Sequence, residues 1–268
     1  MALFGMIGVG NMGYPLLKAA IQTFGKEEVI YTDASLKRCQ FIMEETGVSY
    51  AEDNCSVAEQ CKYLVLAIKP QYFGGVMAGI KNYVTTDHVV ISIAAGITID
   101  AIKTGIGEAA RIVRAMPNTP AMVSQGMTGI CYSDAAFTPD EKTEVERFFG
   151  ACGKFEVFDE NMINAVICAS GSSPAYVYMF IEALADSVVS YGIPRDKAYT
   201  LAAQTVLGSA AMVLETGDHP GKLKDNVCSP GGTTIAAVKA LEEYGFRNAI
   251  MKASDACYEK AVALSNKK

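Results

Sequence analysis

Gly8, Gly10 and Gly13 stand in G-x-G-x-x-G spacing directly behind the apolar run Leu3-Phe4-Gly5-Met6-Ile7, and a helical pattern begins at Tyr14. A strand that ends in such a turn and opens a helix presents backbone N–H groups and a helix N-terminus to an anion, and a pyrophosphate fits that place. Gly8 permits the tight turn. Gly10, followed by Asn11 and Met12, lets phosphates approach the backbone, and Gly13 lets the helix pack close to the strand. Four more segments fall where strands should end: Thr32-Asp33-Ala34-Ser35, Ala67-Ile68-Lys69-Pro70, Ala94-Ala95-Gly96 and Ala115-Met116-Pro117-Asn118-Thr119-Pro120. Dinucleotide folds bind their ligand at the carboxyl ends of strands, so these segments are expected to line it. The small residues Ala94, Ala95 and Gly96 leave room for a flat ring. Asp33 lies at the place from which an acid takes a ribose 2′-hydroxyl and favours NAD. Beside it, Ser35, Lys37 and Arg38 suit a 2′-phosphate, and the spacing leaves the choice open.

A second chemical centre lies at Ser229-Pro230-Gly231-Gly232-Thr233-Thr234. Pro-Gly-Gly makes a turn and a helix follows, so Ser229, Gly231 and Gly232 are expected to form an anion nest of outward N–H groups that suits a substrate carboxylate. Thr233 and Thr234 add hydroxyls. Ser170-Gly171-Ser172-Ser173-Pro174-Ala175-Tyr176 is a similar small-residue loop that opens an apolar helix.

Positioning these groups calls for an α/β fold: an N-terminal Rossmann-like doubly wound sheet over residues 1–158, then an all-α domain over residues 159–268. Continuous apolar runs mark strands at Leu3–Ile7, Val29–Tyr31, Tyr63–Ala67, Val89–Ala94, Arg111–Arg114, Thr128–Tyr132 and Lys154–Phe158. Ser35 to Glu45 reads as a helix stopped by Gly47, and Thr138-Pro139-Asp140-Glu141 as a capped helix start. Strand signals stop near Phe158. Ala175–Tyr191 and Ala198–Leu214 carry almost no charge, and helices apolar nearly all round are buried all round. A domain this small cannot cover both, so an intertwined two-fold homodimer through the C-terminal helices is expected, with an oligomer of dimers left open. The closing Ser265-Asn266-Lys267-Lys268 reads as a frayed tail.

The 268 residues are 50% hydrophobic and 19% charged, and carry a net charge of −6 without a basic stripe. That excludes nucleic acid as a main partner. No apolar run is long enough for a bilayer span, and the N-terminus lacks the basic region and cleavage site of a leader. Eight scattered cysteines form no C-x-x-C, so free thiols, no metal centre and a reducing cytoplasm are expected. The only histidines, His88 and His219, read as structural: His88 ends a loop and His219 opens a helix.

The glycine turn, Ala67-Ile68-Lys69-Pro70, Arg114-Ala115-Met116-Pro117-Asn118-Thr119-Pro120, Ser170–Tyr176 and Ser229–Thr234 come in the order seen in pyrroline-5-carboxylate reductases, which the chain resembles over almost its whole length. The resemblance implies an oxidoreductase of amino-acid biosynthesis that makes proline from a cyclic imine, a helical dimerisation domain, and usually NADPH; Asp33 keeps NADH open. It also implies that Asn54 contacts the adenosine part, that Lys69 and Pro70 line the nicotinamide side, and that Asn226 approaches the cofactor. Thr233 and Thr234 match the substrate-binding pair, and Glu160 matches a further substrate contact. Ser173 departs from the family, which often has glycine there. On this reading the substrate arrives protonated, and Thr234 acts at the reaction by hydrogen-bonding the ring nitrogen. β-Hydroxyacid dehydrogenases share the glycine turn but need a lysine on the first long interdomain helix, and Asn161–Tyr191 has none. A non-catalytic NADP(H)-binding sensor would have no use for the Pro-Gly-Gly-Thr-Thr nest.

Overall fold

The computed structural model describes residues 2–108 and 110–265. Strand β1 (Ala2–Ile7) leads into α1 (Gly13–Phe24), and β2 (Val29–Thr32) into α2 (Leu36–Thr46). Then follow α3 (Asn54–Glu59), β3 (Cys61–Leu66), α4 (Pro70–Ile80), β4 (Val89–Ser92), α5 (Ile99–Ile106) and β5 (Arg111–Met116). The sheet is completed by β6 (Gly126–Tyr132) and β7 (Gly153–Val157), with α6 (Pro139–Gly150) between them. Beyond β7 the described residues form helices only: α7 (Ile163–Val166), a π turn (Ile167–Gly171), α8 (Ser173–Ser190), α9 (Arg195–Thr216), α10 (Pro220–Val227), α11 (Thr233–Glu243) and α12 (Phe246–Ser265). Residues 266–268 of the expected tail lie outside the described residues, while Ser265 ends α12 and hydrogen-bonds Ala261 O at 3.1 Å.

The seven strands run in the order β2-β1-β3-β4-β5-β6-β7. The expected doubly wound sheet is present: β1 to β5 are parallel, and the last residues of β2, β1, β3 and β4 (Thr32, Ile7, Leu66 and Ser92) align in one row that meets Arg114, two residues before the end of β5. β6 pairs antiparallel with β5, and β7 parallel with β6. Both faces are covered. Leu16, Leu17, Ile42 and Phe148 bring α1, α2 and α6 onto one face; Val57, Phe73, Ile102 and Ile163 bring α3, α4, α5 and α7 onto the other. Strands buried on both faces carry continuous apolar runs, which is why Tyr63 to Leu66 of β3 and Val89 to Ile91 of β4 lack alternation. β4 ends at Ser92, two residues before the expected Ala94, because the Ser92 hydroxyl accepts the Ala94 N–H at 3.3 Å and turns the chain. The Thr138 start of α6 is a full capping box with Glu141.

The chain divides into two compact units, Met1–Ser172 with Cys257–Lys268, and Ser173–Ala256. The second unit has a small core of Ala185, Ala198 and Ala202, where α8 and α9 pack through short side chains. Large apolar residues stay outside it: Tyr178 is 57% exposed, Met179 68% and Leu207 55%.

Candidate active site

The glycine turn has the shape its spacing predicts. Gly8 is buried at φ +91°, and a Cβ there would lie 2.6 Å from Ala67 O. A Cβ on Gly13 would lie 2.2 Å from Gly8 O, so neither position accepts a side chain. A Cβ on Gly10 would meet nothing within 4 Å, and this face of the turn, with exposed Asn11, is open to a phosphate. The N-cap of α1, Met12, supplies no side-chain hydrogen bond, and the first turn holds no acid. The orphan N–H groups and the positive helix end therefore remain for an anion, and the residues fit a dinucleotide pyrophosphate.

At the end of β2, Asp33 turns inward. Its Oδ2 accepts the Val9 N–H at 2.9 Å and its Oδ1 the Ser35 N–H at 2.9 Å. Arg38 reaches back to the same turn, donating Nε–H to Val9 O at 3.0 Å while its guanidinium lies over the rings of Tyr14 and Phe41. Ser35 caps α2, and Lys37 is exposed. Asn54 opens α3 behind its cap Asp53, whose carboxyl is held below the usual carboxylate range by the Ser56 N–H and hydroxyl. The segment sits beside the end of β2, where Ala51 N–H donates to Tyr31 O.

The remaining loops leave the same sheet edge. Ala67 N–H donates to Ile7 O at 2.9 Å, half-buried Ile68 follows, and exposed Lys69 and Pro70 start α4. After β4, Ala94 is buried, Ala95 exposed, and Gly96 at φ +78° backs onto Leu264 of α12. Thr98 then caps α5. Glu160, in the turn after β7, lies here too: its Oε1 accepts the Ile99 N–H at 2.8 Å and Arg114 Nη1–H at 2.9 Å. Asn118, beyond β5, is buried; its Nδ2 donates to Ser170 O and its Oδ1 accepts the Met127 N–H, both at 2.9 Å. In the sequence Arg114 stands out only as part of a longer segment, yet a cation inside an apolar strand is a signal by itself, since a buried charge needs a partner.

In the second unit, Ser229-Pro230-Gly231-Gly232 forms a turn with Gly231 at φ +69°. Proline second and a positive-φ glycine third is the type II pattern. The Gly232 N–H closes it onto Ser229 O at 3.0 Å, so this N–H is not offered outward as the sequence led us to expect. The nest moves one step along the chain. Gly232 caps α11 without a side chain, the first turn of α11 carries no acid, and among the described residues no protein acceptor takes the N–H groups of Thr233 and Thr234. Thr233 is exposed and Thr234 half-buried. Asn226 lies exposed in the last turn of α10.

His88 is buried, with Nε2 2.8 Å from Ala58 O, and His219 caps α10 through the Gly221 N–H. Both are structural. All eight cysteines are free.

Comparison with known proteins matches two family models: pyrroline-5-carboxylate reductase dimerisation over residues 160–264, and NADP oxidoreductase coenzyme F420-dependent over residues 3–96. The pyrroline-5-carboxylate reductase of Escherichia coli strain K12 is 46% identical over 264 residues, 97% of each chain. The solved pyrroline-5-carboxylate reductase of Coxiella burnetii is 35% identical with a TM-score of 0.92, covering 99% of both chains. The Plasmodium falciparum pyrroline carboxylate reductase, solved with NADP bound, is 32% identical with a TM-score of 0.88 and covers 99% of this chain and 98% of its own.

Proposed function

This chain belongs to the pyrroline-5-carboxylate reductase family, NAD(P)-dependent oxidoreductases acting on a C=N bond, and from that membership we propose how its own residues reduce 1-pyrroline-5-carboxylate to L-proline. Residues 1–158 serve the cofactor; residues 159–268 serve the substrate and a partner subunit.

The start of α11 carries the reading. The N–H groups of Thr233 and Thr234 take the substrate carboxylate, the Ser229–Gly232 turn holds them in place, and the helix end favours the negative charge. The Thr234 hydroxyl hydrogen-bonds the ring nitrogen. The turn has no histidine, and none is needed, since a cyclic imine can enter already protonated and the protein's task is then to orient it. The nicotinamide cofactor, when bound, supplies the hydride to the imine carbon. Gly8, Gly10, Asn11, Met12 and Gly13 hold its pyrophosphate; Ala67 to Pro70 and Ala94 to Gly96 line its nicotinamide side, with Asn54 at the adenosine and Asn226 as a further cofactor contact.

NADPH is the preferred donor, with NADH the alternative. Asp33 supports this order, because its carboxylate is engaged by the Val9 and Ser35 N–H groups while Lys37 stays exposed. A homodimer is supported by the exposed apolar surface of α8 and α9 and by the dimerisation model. Eight free cysteines support a reducing, cytoplasmic setting.

Oxidation of NADPH and NADH, followed with pyrroline-5-carboxylate and with a 3-oxo acid, tests the reading. Turnover of the imine alone is expected, and Thr234→Ala lowers kcat by about 10²-fold or more, as for other positioned polar groups. Unchanged kinetics in that variant remove Thr234 from the reaction. Light scattering across a concentration series tests the dimer, and a stable folded monomer at micromolar concentration refutes it.

A further inference from the structure

The Glu160 carboxylate joins three elements of the first unit. It reaches from the turn after β7 to the first N–H of α5 and to the guanidinium of Arg114 on β5. Arg114 is 2% exposed, and its Nε and Nη2 have no partner among the described residues, so Glu160 is the group seen to fix its guanidinium. The strand register sets Arg114 beside Ser92, the last residue of β4. The tie therefore sits directly under the segment Ala94–Thr98 that links β4 to α5. Thr98 already caps α5 by accepting the Ala101 N–H at 3.2 Å. The Glu160 bond to Ile99 is thus a second anchor at one helix start, and it pins the far end of the loop. The near end is held by the Ser92 hydroxyl, and Leu264 backs the loop at Gly96.

We propose that Glu160, held in place by Arg114, is a positioning residue for hydride transfer: it sets the Ala94–Gly96 loop against the nicotinamide half of the cofactor. This rests on the reading of the chain as a nicotinamide-dependent imine reductase. Glu160 touches backbone and a buried cation, and its effect reaches the reaction through the loop. Displacements of about 1 Å at a reacting pair can lower rates by about 10²-fold, so a loosened loop is expected to slow the chemical step and leave the adenosine end of the cofactor site unaffected.

The test is steady-state kinetics of Glu160→Ala with NADPH and with NADPH deuterated at the transferred position, alongside inhibition by 2′,5′-ADP, which probes the adenosine end alone. The expected result is a fall in kcat of about tenfold to 10²-fold, a raised deuterium isotope effect on kcat, and unchanged 2′,5′-ADP inhibition. Glu160→Gln keeps an oxygen for the Ile99 N–H and falls less. Unchanged kcat and isotope effect overturn the proposal. So does a higher KM for the imine with kcat and isotope effect intact, which assigns Glu160 to the substrate. Loss of 2′,5′-ADP binding in step with kcat overturns it as well, as the mark of general unfolding. Should the alanine variant fail to fold, the glutamine variant decides by the same readouts. Turnover of the imine by the unaltered enzyme judges the underlying reading separately.

Discussion

The Asp33 carboxylate accepts the backbone N–H of Val9 at 2.9 Å, tying the end of β2 to the glycine turn that follows β1. Its other oxygen holds the Ser35 N–H at the same distance. An acid so engaged braces the turn, whichever nucleotide binds there. Asp33→Ala is therefore expected to raise KM for NADPH and NADH alike, by about tenfold, the scale of one charge-assisted hydrogen bond. Lys37→Ala is expected to raise KM for NADPH alone by a similar factor. Parallel titrations with the two cofactors check both. A selective loss of NADH on replacing Asp33 would restore the ribose role that its spacing implies.

Gly231 tests the substrate turn. Its φ of +69° lies in the left-handed region, and a Cβ there meets nothing within 4 Å, so substitution strains the backbone without crowding a neighbour. Gly231→Val is expected to cost about 1–2 kcal/mol of turn geometry and to raise KM for the imine about tenfold. Gly231→Asn should lie closer to the parent, because asparagine tolerates this region. The thermal midpoint should fall by about 2–4 °C for each kcal/mol of this strain in the valine variant, and by less in the asparagine variant. Equal KM values for all three proteins would detach the turn from substrate binding.

Much of this arrangement was legible in the sequence, and the gaps have physical causes. β3 and β4 announced themselves because a strand buried on both faces carries consecutive apolar residues, here Tyr63 to Leu66 and Val89 to Ile91. Ser35, Thr138 and Gly47 marked helix ends through local chemistry alone. The direction of β6 was not legible, since apolar periodicity is the same read either way along the sheet. Nor was the use of the Gly232 N–H inside its own turn, or the inward turn of Asp33: each depends on which neighbouring donor or acceptor is nearest in space. Glu160 shows the same limit, because its partners lie 46 and 61 residues away.

Glu141 links stability to acid. It is 3% exposed at the start of α6, and lies beside Arg111 with Lys62 at 3.7 Å. Burial alone would push its carboxyl up, but the Thr138 N–H, the Arg111 guanidinium and the Lys62 ammonium outweigh it and hold the group below the usual carboxylate range. A carboxyl depressed in the folded state stabilises above its unfolded pKa, and that contribution is lost as pH falls through the folded value. Unfolding by urea at stepped pH should show stability declining below about pH 4.5, the ordinary range for glutamate. Glu141→Gln should lower stability at neutral pH by about 1–3 kcal/mol and flatten this decline. A glutamine variant with the parent's acid profile would move the linkage to another group.

Asn118 bridges two segments with one amide, and its two ends can be separated by mutation. Nδ2 donates to Ser170 O inside the π turn, where the Ser172 N–H already reaches back five residues to Ile167 O at 2.8 Å. Oδ1 accepts the Met127 N–H at the start of β6. Asn118→Ala leaves a buried carbonyl and a half-buried N–H without this partner and is expected to cost about 1–3 kcal/mol, lowering Tm by about 2–4 °C for each. Asn118→Asp keeps the acceptor for Met127 but sets a carboxylate against the Ser170 carbonyl. Only the protonated form of the introduced carboxyl can donate there, so folding raises its pKa. Its deficit against the parent should therefore shrink as pH falls through the folded value and be full above it. Thermal unfolding of the three proteins between mildly acidic and neutral pH checks this. A deficit that stays constant with pH would mean that Ser170 O finds another donor, and that the amide matters only for its hold on β6.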